Sequence, residues 1–430
     1  MKKLFIYGVA CAASVSLLGS ACSSRPAADH AWLKQAIETS VFQLKHTTAE
    51  IGDSVLLPRS IWTGHDVDFV RRQLGKTAMT TQDSARLKQP KDTIGNRRYC
   101  ASIYDWTSGF FPGNLWLAYQ LSGDKELQNK AVQFTNYLYP LREYTGTHDI
   151  GFMMNCSYGN AYRTCPTDSA RAALIQTADN LCGRFNPQIG CIRSWNFGKW
   201  NFPVIIDNMM NLDLLFYVSH LTGDNRYKEL ALTHARTTLK HHFRPDYSSY
   251  HVISYNSDGT VESKGTHQGQ NDASTWARGQ AWGLYGYTSC YRESKDTAFL
   301  EQARHIAALI MNGVQTEDKI PLWDYDAPQL PETPRDASAA SVTASALLEL
   351  STLVEDGKIY ADYAEQLLKS LSSKAYLAEK GTNQGFILMH STGALPNGSE
   401  IDTPLNYADY YYLEALLRYM QLKGIAYQNI

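Results

Sequence analysis

Residues 209–243 read MMNLDLLFYVSHLTGDNRYKELALTHARTTLKHHF. Met210, Leu212, Leu214, Leu215 and Val218 recur at three- and four-residue spacing, which predicts a helix with an inward apolar face. A Thr-Gly-Asp-Asn turn ends it, and the run that follows is amphipathic, so the unit reads as a helical hairpin with one apolar arm and one solvated arm. The pattern returns over 113–138 as GNLWLAYQLSGDKELQNKAVQFTNYL, with SGDKEL in the place of TGDNRY. Weaker copies occupy 163–181, 279–311 and 344–371, giving five hairpin turns near residues 124, 168, 224, 296 and 356. A helix from Trp32 to Thr48 and a last one from Tyr407 to Gln421 make a sixth pair across the chain ends. Six hairpins whose arms alternate in polarity fit two concentric layers. The expected fold class is therefore all-α, an (α/α)6 barrel over residues 31–430. An open superhelix of hairpins is the alternative, disfavoured by the pairing of first and last helices. No stretch sustains the period-two alternation of a long strand, so little sheet is expected. Residues 50–100 read as irregular, with the basic run RLKQPKDTIGNRR as solvated loop.

At 430 residues the chain exceeds one ordinary core, which suits two domains or one large closed architecture. A net charge of -2 supplies no basic field, which argues against nucleic acid as a partner. The 27 Tyr, 14 Phe and 9 Trp exceed what core filling demands, and many stand in polar contexts such as YDWTSGF and IRSWNFGKW. Flat rings with polar edges suit sugar faces, although each Trp taken alone also reads as a packing residue.

The N-terminus MKKLFIYGVACAASVSLLGSACSS joins two lysines, an apolar stretch too short to span a membrane, and small residues up to Cys22. It reads as a secretion signal over 1–22, followed by a tether over 23–30. LLGSAC resembles a bacterial lipoprotein cleavage box with Cys22 as the lipidated first mature residue, which implies a cell-envelope or periplasmic lipoprotein with a lipid anchor. Gly19 stands where that pattern has Leu, and Gly19-Ser20-Ala21 also reads as an ordinary signal-peptidase site. Six further cysteines remain, and Cys156/Cys165 or Cys182/Cys191 are close enough to close small disulfide loops. No cysteine or histidine spacing suggests zinc, so no metal is expected.

Polar and aromatic residues collect in the loops that enter the inner helices. These loops run Asp105 to Phe110, His148 to Phe152, Ile206 to Asn208, Asp272 to Trp282, Asp336 to Ser338 and Asp402 to Pro404. In a closed ring of hairpins they emerge at one end and line one mouth. Asp207, at the start of the apolar helix, reads in two ways: as a cap for orphan N–H groups, or as a partly desolvated acid with a raised pKa. Asp149 is the second candidate, because two carboxyls in one site divide into a proton holder and an ionised partner. Arg278 precedes Trp282 by one helical turn, so a guanidinium and an indole could face one space, an arrangement that suits a sugar bearing a carboxylate. A local ion pair for Arg278 is equally compatible with the spacing.

The segments WTSGFFPGNLW, HDIGF, IRSWN, IIDNMMNL, THQG, STWARGQAWGLYG and HSTG...DYYYLEALLRY resemble those of glycoside hydrolase family 88, the unsaturated glucuronyl hydrolases, from about residue 30 to the C-terminus. The resemblance implies an (α/α)6 barrel that removes a 4-deoxy-4,5-unsaturated uronate from the non-reducing end of lyase-generated oligosaccharides, by hydration of the enol ether. It implies Asp207 as general acid/base and Asp149 as partner acid, with His148 beside it as a substrate-binding residue. It further implies Trp106 and Trp195 for stacking, His251 and Gln268 for polar contacts, and Arg278 with Trp282 for the uronate. No metal or organic cofactor enters this scheme. Family 105, acting on unsaturated rhamnogalacturonides, is the nearest rival, and a non-catalytic glycan-binding surface lipoprotein is the alternative of a different class.

Overall fold

The computed structural model describes residues 30–61 and 98–430. The signal, the tether but for His30, Cys22 and all of the basic run but Arg98 lie outside the described residues.

The chain enters through α1 (Ala31–Ile51) and a ribbon of β1 (Leu57–Ile61) against β2 (Arg98–Ala101). These strands correct the reading of residues 50–100 as wholly irregular. A five-residue strand broken by Pro58 shows too little alternation to register in sequence. Hairpins then follow. α2 (Phe110–Ser122) turns into α3 (Lys125–Tyr137). Next, α4 (Ile150–Met154) and α5 (Asn160–Thr164), joined by a π-turn over Asn155–Gly159, lead to α6 (Asp168–Cys182). After the small strands β3 (Phe185–Asn186), β4 (Cys191–Ile192) and β5 (Pro203–Ile205) come α7 (Asn208–Thr222) and α8 (Asn225–His241). Strands β6 (Val252–Tyr255) and β7 (Val261–Gly265) precede α9 (Ala277–Ser294) and α10 (Thr297–Gly313), then α11 (Ala337–Leu353), α12 (Lys358–Leu371) and α13 (Asn406–Lys423).

The repeated turn has a simple mechanism. Gly123 and Gly223 end α2 and α7 in the left-handed region, at φ +74° and +77°, where glycine pays no Cβ penalty. One residue later Asp124 and Asp224 accept the N–H of Glu126 and Arg226 and so cap the outgoing helix. The α9–α10 turn uses Lys295 (φ +59°) and the cap Asp296 in the same two positions.

The two layers differ in what they bury. Inner helix α11 is buried continuously from Ala337 to Leu348, whereas outer helix α10 buries Phe299, Gln302, Ala303, Ile306, Ala307 and Ile310, a single stripe. The inner ring closes where α13 packs between α11 and α2. The Phe110 ring meets Tyr407, Tyr410 and Tyr411 there, and Asn114 donates to the Asn406 carbonyl at 3.0 Å. Each such buried ring contributes about 2–3 kcal/mol, enough to hold the seam shut. With α1 packed outside it, α13 completes the sixth pair, and the molecule is an (α/α)6 barrel. All inner helices start at one end, so their entry loops form a common mouth, trimmed by the sheets β3–β4 and β5–β6–β7. The expected disulfides are absent among the described residues: Cys156, Cys165, Cys182 and Cys191 are free thiols. Cys156 and Cys191 are buried in separate places, one beside Tyr410 and the other beside Tyr255, while Cys165 is exposed.

Candidate active site

The two candidate acids are brought together by one asparagine. α7 begins at Asn208, and Asn211, one turn on, accepts the Phe152 N–H through Oδ1 at 2.8 Å while its Nδ2 faces His148 Nδ1 at 3.3 Å. This ties the start of α4 to the start of α7. A Cβ on Gly151 would stand 2.5 Å from Asn211 Oδ1 and 2.7 Å from its Cα, so only glycine permits the approach. Asn208 anchors the same turn by donating to the Ile192 carbonyl at 2.8 Å. β5 delivers Asp207 to the spot, with Ile206 N–H bound to the His251 carbonyl at 3.0 Å.

Asp207 occupies the N-cap position of α7 but makes no capping bond. Its Oδ2 is buried without a hydrogen-bond partner among the described residues, which removes the capping explanation for this acid.

Each acid is backed by an imidazole in the same tautomer. His251 Nδ1 accepts the N–H groups of His267 (3.0 Å) and Gln268 (3.2 Å), so its proton is on Nε2, which stands 3.5 Å from Asp207 Oδ2. His148 Nδ1 takes the Asn211 amide, so its Nε2–H faces Asp149 Oδ1 at 3.2 Å. Burial lowers the His148 pKa and keeps this ring neutral. Asp149 also accepts from the Thr147 hydroxyl at 3.1 Å. Burial raises the Asp149 pKa; His148 opposes the rise and the Asp207 charge adds to it. Asp149 thus holds its proton to higher pH than an ordinary carboxyl, as one member of a two-acid site is expected to.

Both carboxyls open on a cavity of about 1080 Å³ at the mouth. Trp106, Trp195, Gln268 and Arg278 line it too. Trp195 is braced by Phe197, stacked at 5.1 Å and 15°, and Trp106 lies on Tyr407 at 4.8 Å. Gln268 Nε2 donates to the Gly393 carbonyl at 3.2 Å.

Three expectations change. Trp282 is fully buried, packs on Phe152 and Tyr411, and does not line the cavity. Four residues of helix rise about 6 Å, so a residue four positions below the mouth supports the floor instead of facing the ligand. His148 and His251 stand behind the acids, outside the lining. Arg278 does reach the cavity, but its Nη1 bonds Asp336 Oδ2 (2.8 Å) and the Thr392 carbonyl (2.6 Å), and its Nη2 bonds the Gly393 carbonyl (2.5 Å). Two of its four hydrogen bonds hold the rim segment Thr392–Gly393, and the others go to Asp336 and Ser338. Of the acids placed at the mouth by position, Asp272 staples the Thr266 N–H and Asp402 pairs with His390, both away from the cavity.

The sequence reading missed Arg59. This strand residue grips Glu400 and Asp105 across the cavity, with Nε–Oε1 at 2.7 Å and Nη1–Oδ2 at 2.6 Å. Its only signal was one cation in an apolar pentapeptide, LPRSI. Thr147, Phe197 and His267 also line the cavity.

The chain is 48% identical over 323 residues to an unsaturated glucuronyl hydrolase of Formosa agariphila, covering 74% of this chain and 80% of that protein. The chain belongs to the unsaturated glucuronyl hydrolases. It is therefore a glycoside hydrolase. A crystal structure of an unsaturated glucuronyl hydrolase specific for heparin superposes with TM-score 0.82 at 50% identity, covering 92% of this chain and 99% of that one. An aspartate-to-asparagine mutant of a Streptococcus agalactiae unsaturated glucuronyl hydrolase, complexed with dGlcA-GalNAc6S, superposes with TM-score 0.72 at 26% identity over 90% of this chain and 91% of that one. A family model described as a domain of unknown function, DUF4995, matches residues 1–76.

Proposed function

We propose that the mouth cavity binds the unsaturated uronate of a glycosaminoglycan-derived oligosaccharide, with Asp207 as general acid/base and Asp149 as its partner. The observation that carries this reading is Asp207 itself, an acid at a helix N-cap that makes no capping bond and opens on the cavity shared with Asp149. Asp207 delivers a proton to C4 of the enol ether, and positive charge develops at C5 and the ring oxygen. Water adds at C5 and returns its proton to Asp207. The hemiketal then opens by breaking the C5–O5 bond, which leaves a ketone at C5 and a hemiacetal at C1 that expels the second sugar. Asp149, raised by burial, holds the pair's proton and hands it to Asp207 as Asp207 protonates C4, and the proton that water returns to Asp207 restores the pair. Trp106 and Trp195 are the stacking faces, Gln268 a polar contact, and His148 and His251 orient the acids. Arg278 acts chiefly by fixing the rim.

The same reading makes Cys22 a lipid-bearing first residue and the enzyme a periplasmic or cell-envelope lipoprotein, on the strength of the LLGSAC box. Metabolic labelling with a fatty acid, lost in Cys22→Ser, tests it.

The enzymatic proposal is tested with an unsaturated disaccharide, whose C4=C5 absorbance disappears on turnover. Asp207→Asn is expected to lose about a thousandfold in kcat while still binding the sugar. Undiminished turnover removes Asp207 from the role.

A further inference from the structure

A second cavity, of about 650 Å³, adjoins the mouth and is lined in part by Arg184, Arg193, Asn196, Thr145 and Phe202. The two cavities share their wall. Thr145 and Asn196 face the second cavity, while Tyr144, Thr147, Trp195 and Phe197, their neighbours in the chain, face the first.

What marks this cavity is two cations without an acid. Arg184 donates to the carbonyls of Thr145 (2.7 Å), Arg193 (2.9 Å) and Ser194 (3.2 Å) and to Asn196 Oδ1 (3.3 Å). Arg193 donates to the carbonyls of Trp195 and Asn201, each at 3.0 Å, and its guanidinium lies 5.7 Å over the Phe202 ring. All these partners are neutral, and no ion pair among the described residues includes either arginine. The acid on the cavity wall, Asp179, is engaged by Arg226 at 2.6 Å and by the Tyr227 hydroxyl at 2.8 Å. The carbonyls fix both forks in place, yet leave their positive charge unbalanced. Burial and the repulsion of Arg193 lower the Arg184 pKa against the smaller pull of Asp149, as expected of two neighbouring cations without an ion-pair partner. That pull places Arg184 within electrostatic range of the reaction centre.

We propose that Arg184 and Arg193 form an anion subsite that takes a sulfate or carboxylate group on the reducing-side residues of a longer unsaturated oligosaccharide. The proposal rests on the hydrolase reading above and extends it. The leaving portion of the chain runs over Trp195 and Phe197, and its next acidic group meets the guanidinium pair beyond the shared wall.

Binding is measured by calorimetry on the Asp207→Asn protein, with and without Arg193→Glu, using an unsulfated unsaturated disaccharide and an unsaturated tetrasaccharide that carries a further uronate. Arg193→Glu is expected to lower the tetrasaccharide-to-disaccharide affinity ratio about tenfold, the worth of one charge-assisted contact, and Arg193→Lys to restore most of it. Inorganic sulfate is expected to weaken the tetrasaccharide and spare the disaccharide. An unchanged ratio in Arg193→Glu overturns the subsite, and so does sulfate that competes equally with both sugars. Should neither sugar bind, the substrate reading fails by itself. The subsite is then decided by sulfate alone, which must bind the Asp207→Asn protein and not its Arg193→Glu derivative.

Discussion

Asp149 and Asp213 lie at adjoining inner helices and are about equally exposed, 19% and 23% of the side chain, yet the protein pushes them in opposite directions. Burial would raise both. At Asp213 the charge and hydrogen bond of Arg292, 2.5 Å away, outweigh burial and hold the acid below the usual carboxylate range. Glu349 is likewise held low against burial by Arg418 (2.8 Å) and Arg292 (2.5 Å). These groups lie toward the far end of the barrel, where each acid has a guanidinium. On the mouth side Arg59 and Arg278 hold Asp105, Glu400 and Asp336 in the same way, but three acids there have no guanidinium. Asp149 is backed by a neutral imidazole, while Asp324 and Asp409 rest on N–H donors, with a hydroxyl besides at Asp324, and all three are raised by burial. Depth is thus not what prepares a carboxyl to hold a proton. The absence of a cation beside it is, because at short range one guanidinium outweighs the desolvation that both regions share.

The comparison can be broken most forcefully at Asp409. Its carboxyl accepts only the N–H groups of Ile387 (3.0 Å) and Leu388 (2.8 Å), and burial pushes its pKa up to about 7. A folded-state value above the unfolded one gives a contribution that is fully present below about pH 4 and lost as pH rises through about 7. Relative to Asp409→Asn, the wild type should lose on the order of 3 kcal/mol of stability across that window. The variant adds a fixed cost for turning one acceptor into a donor, without the slope. Urea melts at several pH values check it.

At the far end, Arg292→Met strands Asp213 and leaves Glu349 to Arg418 alone. The expected loss is about 2 kcal/mol at neutral pH, discounted from a fully buried pair because these side chains are partly exposed. The sign of its pH dependence is opposite to that of Asp409. Lowered acids stabilise the wild type above their unfolded pKa and lose that contribution as pH falls, so the variant's deficit should shrink in acid while KM for the disaccharide stays put.

Smaller effects sharpen the mouth. Asn211→Ala releases α4 from α7 and should lower kcat about tenfold with little change in KM, because misplacement of the acids weakens the transition state more than the ground state. Trp282→Phe should cost about 1 kcal/mol of stability and leave KM unchanged, whereas Trp195→Phe should raise KM severalfold.

How far the sequence carried this picture follows from the range of each interaction. The barrel was legible because its turns are local: a left-handed glycine and a capping aspartate recur within a few residues, and the polarity of the flanking helices follows. Asp149 and Asp207 were legible because an acid amid apolar residues at a helix start is locally anomalous. Trp282 misled because helical spacing gives the face a side chain shares but not its depth below the mouth. Arg278 reached the cavity as expected, but its engagement with Thr392 and Gly393 depends on a loop more than a hundred residues away. Arg59 was invisible for the same reason, since Glu400 is its partner only in the folded chain.

Site-resolved titration of the labelled aspartate carboxyls by NMR, with Asp149→Asn and Asp213→Asn to assign the two signals, tests the account most directly. Asp149 should titrate above the ordinary aspartate range and Asp213 below it. If both titrate on the same side, or in the reverse order, cationic company is not what separates Asp149 from Asp213.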